Sequence, residues 1–423
     1  MKRSVEKGKT LLVDGPSSVT MLSGKAKVLG APLKVEEKFI IREGKRIPFE
    51  IVENSTFNLV LGENASLEEI DGGTIPSSWE SICDKLVSQR RLLTVMVIGN
   101  VDSGKTSFCT YLANKALEKE LKVAVIDADL GQSDVGPPST IGYSRIKTPI
   151  KDLFEVEAEN AYFLGLTSPS GVKKEIIEKL SSMKNTALKN NVDFLIINTD
   201  GWIDGEEAVA YKIMLVEKTA PDIVVGIQHE NELSTILSAL KGKEVLSVTS
   251  PSVIHARDKE KRKILRELSY KKYLKNAKIQ SFPLNWTNVE GAFFRAQNHS
   301  VESSRKMRML LGADFAYFEE TQSNVLLVLK KGVWIDENII KEIEGEYGKN
   351  IKIVREGDEE GLLVAFQDVN RRFLGIGVLR GIDYKRRVMK VYTPVYKNVE
   401  TILVGQIKLD EKGREIGVSS VFT

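Results

Sequence analysis

A chain of 423 residues is too long for one ordinary core, at about 150 residues per domain, and its 42% apolar and 28% charged side chains exclude a disordered polypeptide. Sixty-one basic against 58 acidic residues leave a net charge of only +3, which excludes a nucleic-acid binder that works through overall charge. Any basic surface has to be local.

The start, Met1-Lys2-Arg3-Ser4-Val5-Glu6-Lys7, has no hydrophobic signal core, and no apolar run approaches the ~20 residues of a membrane span. The expectation is a protein of the cytosol, or of the nucleus in a eukaryote, with no membrane partner. Residues 1–75 read as strands: Lys9–Val13, Lys38–Arg42 and Thr56–Leu61 are short apolar or alternating pieces separated by Gly and Pro turns. That pattern predicts a β-sandwich-like N-terminal domain.

From Ile75 the pattern changes to helices alternating with strands that are apolar throughout. The strands are Leu92–Ile98, Val123–Ile126, Tyr162–Gly165, Phe194–Ile197, Ile223–Ile227 and Val245–Val248, and the segment Val172 to Leu188 is among the helices between them. Uninterrupted apolar strands predict a parallel sheet with helices on both faces, an α/β core over 76–280.

Between its first strand and first helix lies Gly99-Asn100-Val101-Asp102-Ser103-Gly104-Lys105-Thr106, a complete GxxxxGK[ST] loop followed by Ser107. Phe108, Leu112 and Ala116 then recur at helical spacing. Glycines at 99 and 104 let the backbone curl until successive N–H groups face phosphate oxygens, aided by the positive end of the helix. Residues 99–107 are therefore the expected cradle of a nucleoside triphosphate such as ATP, in a P-loop NTPase core. Lys105 would reach the β- and γ-phosphates and the Thr106 hydroxyl would ligate Mg²⁺. A glycine turn that matched by accident would lack the flanking strand and helix.

The strand at Val123 runs into Asp127-Ala-Asp-Leu-Gly-Gln-Ser-Asp134, placing two carboxylates at the carboxyl end of a parallel strand, where α/β sheets bind ligands. Asp129 is the expected base and orienter of an attacking hydroxyl, with Asp127 and Asp129 at the metal; Gln132 and Ser133 would line the substrate path. A carboxylate with a pKa of about 4 is a weak base for an alcohol, so alignment should matter more than early proton removal. Gln228, after a later strand, is either a contact to the nucleotide base or the cap of a strand-to-helix turn, and the cap is the simpler reading.

Between Arg257 and Lys278 stand ten Lys or Arg against three acids, a local net of +7. With Ile264, Leu265 and Leu268 as a narrow apolar stripe, this predicts a basic helix over 257–278. A connecting stretch with Pro283, Trp286 and Arg295 follows, and residues 281–423 close with a β-rich or α+β domain whose strands include Asn324–Leu329, Arg387–Tyr392 and Ile402–Gln406. Cys83 and Cys109 predict buried reduced thiols, and His229, His255 and His299 show no metal-ligand spacing.

A GxxxxGKT loop, then Asp-x-Asp-x-Gly-Gln-Ser, then Thr199-Asp-Gly-Trp202 after a buried strand resembles the polynucleotide 5′-hydroxyl kinase family. Its members include the RNA kinase of the pre-mRNA 3′-processing machinery, the nucleolar rRNA-processing kinase and archaeal relatives. The resemblance is strongest over about residues 75–280 and matches the three-region layout. It implies that Thr199, Gly201 and Trp202 clasp the RNA, with the indole stacked on a base near the 5′ end. A Trp preceded by glycine just beyond a parallel strand would present its π-face to the ligand crevice, although it could instead fill an apolar gap. The resemblance also implies that the basic helix is a lid whose arginines contact the triphosphate. Arg257 and Arg262 are the nearest match, with Arg266 as a substitute.

The reading is an ATP- and Mg²⁺-dependent kinase acting on the 5′-hydroxyl end of RNA, with DNA as a further candidate acceptor and RNA-processing proteins as candidate partners. Two other classes compete: an ATP-binding scaffold subunit of an RNA-processing complex with little turnover, and an ATPase switch that controls a partner protein.

Overall fold

Side-chain alternation along one sheet organises the first half of the molecule. The computed structural model describes residues 1–89, 92–254, 256–291, 301–321 and 324–419, so His255, Arg295 and His299 lie outside the described residues. Two compact units are present, Met1–Ser269 and Tyr270–Thr423. The expected division into 1–75, 76–280 and 281–423 is finer than this: the N-terminal strands and the P-loop core share the first unit.

Seven strands open the chain: β1 (Lys2–Val5), β2 (Lys9–Asp14), β3 (Ser17–Val28), β4 (Ala31–Pro32), β5 (Lys38–Ile41), β6 (Arg46–Leu61) and β7 (Leu67–Asp71). They form one continuous antiparallel sheet ordered β4-β3-β6-β2-β7, with β1 on β6 and β5 on β3. The long β3–β6 ribbon shifts register between Met21 and Ala26, where Gly24 has a φ of +93°; such bulges bend a ribbon. The segment Thr56–Leu61 is thus only the end of a sixteen-residue strand.

The core follows as α1 (Ser77–Val87), β8 (Leu93–Gly99), α2 (Lys105–Glu118), β9 (Val123–Ala128), β10 (Thr140–Ile146), β11 (Asn160–Phe163), α3 (Lys173–Lys189), β12 (Phe194–Thr199), α4 (Glu206–Thr219), β13 (Ile223–Gln228), α5 (Ser234–Ala239), β14 (Glu244–Thr249) and α6 (Lys259–Tyr273). The sheet order is β11-β10-β9-β12-β8-β13-β14. Strands β9, β12, β8, β13 and β14 are parallel. β10 runs antiparallel to β9 and β11 antiparallel to β10, so β11 points the same way as those five but pairs with an antiparallel neighbour. This corrects the expectation of a wholly parallel sheet at Tyr162–Gly165. β10 reads weakly in sequence, since its Gly142, Ser144 and Arg145 interrupt the apolar run, and an antiparallel strand needs no crossover helix.

Val95, Val97, Val125, Ile196 and Val225 turn to one face, where they share a core with α1, α2 and the N-terminal sheet. Met96, Ile98, Ile126, Ile197 and Val224 turn to the other, against α3, α4 and α5. Helices therefore cover both faces. Asn114 on α2 fastens the N-terminal sheet to this core: its Nδ2 donates to the carbonyls of Leu29 and Ile150 at 2.8 Å each, and its Oδ1 accepts from Ile150 N–H at 2.9 Å.

The basic helix is shorter than the expected 257–278. It ends at Tyr273, Asn276 takes a left-handed φ of +61°, and Lys278 begins a strand, Lys278–Pro283. That strand and Asn288–Glu290 belong to the second unit's large sheet, so the stretch around Pro283 and Trp286 is structured rather than merely connecting. A three-stranded sheet (Phe315–Glu320, Asn324–Leu329, Asn350–Arg355) sends Leu326, Val328 and Val354 into a core with the large sheet. Its Val325, Leu327 and Ile351 face the helices Val301–Leu311 and Glu337–Tyr347. The unit is α+β. Among the described residues no helix is long and apolar enough to cross a membrane.

Trp79 on α1 is fully buried, edge-on to Phe108 of α2, with its Nε1 donating to Thr249 O at 2.9 Å at the end of β14. Trp79→Ala should cost about 3–5 kcal/mol, read as a lowered urea midpoint of unfolding.

Candidate active site

Every expected site segment leaves the carboxyl edge of the parallel sheet. β8 lies between β12 and β13, so the chain turns to one side and then the other from this strand, and its end is a topological switch point. The 99–106 loop begins there. Gly104 caps α2 with a φ of +95°; a Cβ on it would lie 2.8 Å from Ile254 Cδ1. A Cβ on Gly99 would lie 2.5 Å from Ser103 Oγ and 2.8 Å from Ile227 O. Only glycine allows this approach. Ser250 Oγ donates to Ser103 O at 2.8 Å, binding the segment after β14 to the loop.

A cavity of about 500 Å³ opens over this loop. Val101, Asp102, Gly104, Lys105, Thr106 and Ser107 line it; Gly99, Asn100 and Ser103 lie outside the lining. Gly99 is the buried end of β8, Asn100 Oδ1 accepts from Val101 N–H at 2.7 Å, and Ser103 is buried. Lys105 Nζ donates to the carbonyls of Gly99 at 3.0 Å and Asn100 at 2.7 Å. Burial pulls the Lys105 ammonium down to about 8, against the opposing attraction of Asp129.

Asp129 also lines the cavity. Its Oδ1 accepts from the N–H groups of Gly131 and Gln132 at 3.1 and 3.0 Å, and burial raises its pKa while Lys105 opposes the rise. Gln132 and Ser133 line the same space; Gln132 Nε2 donates to Arg262 O at 3.1 Å, so the basic helix is fastened to this loop.

Asp127 departs from its expected place at the metal. It is fully buried outside the cavity lining, and four donors occupy its carboxylate: Asp129 N–H and Asn198 Nδ2 on Oδ1, Asp134 and Val135 N–H on Oδ2. Burial and the neighbouring Asp129 and Asp134 push it up to about 7. It shapes the loop that carries Asp129.

The two lid arginines converge on one carboxylate. Asp102 Oδ2 accepts from Arg257 N–H at 2.8 Å, Arg257 Nη1 is 3.4 Å from Oδ1, and Arg262 Nη2 is 3.2 Å from Oδ2. Arg257 and Arg266 line the cavity, whereas Arg262 lies outside the lining. Asp102, which the sequence marks only as a variable position of the loop, is thus the link between loop and lid.

The clasp residues are differently placed. Thr199 is fully buried and its Oγ1 donates to Val97 O at 2.8 Å, so it does not face the cavity. Gly201 packs on the phosphate loop: a Cβ would lie 2.6 Å from Val101 N. Trp202 is half-buried outside the cavity lining, stacked on Tyr211 with ring centroids 5.8 Å apart. Gln228 caps its turn, its Oε1 accepting from Leu233 N–H at 3.4 Å, and is not in the lining. His229 is exposed; both cysteines are buried and free.

Sequence reasoning missed a buried ion cluster in the cavity wall. Arg42 donates to Asp134 at 2.9 Å and Asp152 at 2.8 Å, and Lys45 to Asp134 at 3.1 Å. Burial alone would raise the Asp152 carboxyl, but Lys45 and Arg42 hold it well below the usual range. Nothing in the spacing around Gly44 signals this pairing. The Asp200–Lys212 pair was also missed, although a lysine among the inward positions of α4 (Ala208, Tyr211, Leu215, Val216) was a readable signal.

A lysine that titrates at about 8 is protonated below that pH and neutral above it. ATP affinity should therefore weaken as pH rises through 8, and Asp129→Asn, which removes a carboxylate that raises Lys105, should move the loss to lower pH; calorimetric titration on both sides of pH 8 checks both.

Residues 99–276 match the family described as mRNA cleavage and polyadenylation factor CLP1 P-loop. A polyribonucleotide 5′-hydroxyl-kinase of Methanocaldococcus jannaschii is 30% identical over 340 residues, covering 77% of this chain and 90% of that one. Another, of Pyrococcus furiosus, is 29% identical over 352 residues, covering 81% and 95%. The solved structure of Clp1p in its complex with Pcf11p has the same fold, with a TM-score of 0.67 at 14% identity over 96% of this chain and 97% of that one. With this loop, this fold and relatives matched along most of their length, the chain belongs to the family of polyribonucleotide 5′-hydroxyl-kinases with a CLP1 P-loop.

Proposed function

We propose that this chain transfers the γ-phosphoryl group of ATP to the 5′-hydroxyl end of RNA. One observation carries the reading: Lys105, Thr106, Asp129 and Arg257 line a single cavity at the switch point of the sheet. A scaffold needs only the cradle. It does not need a half-buried carboxylate beside the lysine, nor a cationic helix lining the same cavity.

In this reading the N–H groups of 101–106 and the Lys105 ammonium hold the triphosphate, and the glycines at 99 and 104 let the loop pack closely on Ser103, Ile227 and Ile254 so that it keeps that curl. The wall from the N-terminal sheet, with Leu12, Ile47 and Pro48 beside Asp14 and Arg46, suits a nucleobase and its ribose. Thr106 and Asp129 would hold Mg²⁺, which supplies charge neutralisation on the phosphates. Asp129, held by two main-chain N–H groups, aligns the 5′-hydroxyl and accepts its proton; burial raises its basicity above that of an exposed carboxylate. Arg257, with Arg262 or Arg266 as the second lid cation, opposes the charge that develops on the transferred group. Trp202 offers its ring to a base near the RNA end.

Asp129→Asn is expected to retain ATP binding and to lose at least about 100-fold in transfer, measured with γ-labelled ATP and a 5′-hydroxyl oligoribonucleotide. Transfer at the wild-type rate would remove Asp129 from the mechanism, and an unlabelled oligonucleotide with wild-type protein would favour the scaffold.

A further inference from the structure

We propose that Asp200, Tyr211 and Lys212 form a buried anchor that presents the Trp202 indole to the RNA acceptor, making all three positioning residues for substrate binding; this rests on the kinase reading above. Lys212 sits on the inward face of α4 with no exposed surface. Its Nζ pairs with Asp200 Oδ2 at 2.9 Å and donates to the Asp200 carbonyl at 2.8 Å. Tyr211 OH donates to the same Oδ2 at 3.1 Å, and Asp200 Oδ1 accepts from Trp202 N–H at 3.0 Å. One carboxylate thus holds the tryptophan's main chain, the tyrosine's hydroxyl and the lysine's ammonium.

The two rings complete the arrangement. Tyr211 lies stacked under Trp202 at an interplanar angle of 29°, and Lys173 Nζ is 5.9 Å from the indole centroid. From the loop's other side, Gly201 abuts Val101 of the phosphate loop. The segment carrying Trp202 is therefore held between α4 and the nucleotide cradle.

Stability alone does not account for a lysine at position 212. The desolvation of a buried ion pair roughly cancels its attraction, and a methionine would fill similar space without either. What the pair supplies is direction, because both Asp200 oxygens are assigned and the loop has one conformation that satisfies them. An indole fixed in advance loses less freedom when a base stacks on it. Thr199, whose hydroxyl is buried against β8, cannot supply this by touching the RNA, so its neighbour Asp200 supplies it from beneath.

The test compares Tyr211→Leu, Tyr211→Phe and Lys212→Met in the full chain. Tyr211→Leu and Lys212→Met should raise KM for a 5′-hydroxyl oligoribonucleotide by about 5-fold or more, the lower bound of a lost base stack, and in Tyr211→Leu, which removes no charge, KM for ATP should stay near the wild-type value. Tyr211→Phe, which keeps the ring, should restore most of the loss caused by leucine. An unchanged RNA KM in folded Tyr211→Leu overturns the anchor, as does an equal loss for ATP and RNA. Should Lys212→Met fail to fold, the two Tyr211 variants decide alone. Anisotropy of a fluorescein-labelled oligoribonucleotide, measured alongside, separates the two claims. Wild-type binding without transfer defeats the kinase reading, whereas wild-type transfer with unaltered binding by the variants defeats only the anchor.

Discussion

The position of β8 between β12 and β13 is the constraint on which the rest of the site depends. All five parallel strands end on one edge, and every segment with chemistry leaves from it: the phosphate loop after β8, the Asp129 loop after β9, the Trp202 loop after β12 and the lid after β14. β8, β9, β12 and β13 are buried on both faces, so their registers cannot slip without exposing valines and isoleucines. Rigid strands thereby fix loops that have little regular structure of their own.

Those loops are then tied together by charge. Asp102 joins the phosphate loop to the segment of Arg257 and Arg262, Asp134 joins the Asp129 loop to Arg42 and Lys45 of the turn between β5 and β6, and Asp200 joins the Trp202 loop to α4. Each carboxylate is largely buried and each has a cation beside it, as burial requires. The arrangement has a consequence for the lid. Two guanidinium groups share one aspartate of the phosphate loop, and that of Arg257 also lines the cavity, where its charge is available to a more negative group than a single carboxylate.

The strands and the phosphate loop were legible because their signals are local. An uninterrupted apolar run has only one comfortable place in a parallel sheet, and glycines at two fixed offsets have one steric purpose. Asp127 and Thr199 depart from their expected places because their types do not say which way they point. Asp127 and Thr199 are polar residues near strand ends that turn inward to satisfy main-chain or side-chain partners, and a sequence spacing cannot tell such a carboxylate from a metal ligand. The antiparallel β10–β11 pair escaped for a related reason: Tyr162 and its neighbours have the composition of a core strand, and direction is set by the length and path of the connection. The ion cluster of Arg42 with Asp152 joins positions 110 apart in sequence, a pairing that only the packed sheet reveals.

Lys105 shows how such a site can favour a transition state over a ground state. Burial makes its ammonium costly, and the loop carbonyls of Gly99 and Asn100 offset only part of that cost. A group that brings negative charge to the cavity would relieve the remainder, and would relieve it most when that charge lies closest to the ammonium. In phosphoryl transfer the total charge is unchanged, but it shifts toward the leaving oxygen in the transition state. In the proposed reaction the same burial that destabilises the lysine would aim its attraction at the phosphates, without the solvent reorganisation that an exposed ammonium would require.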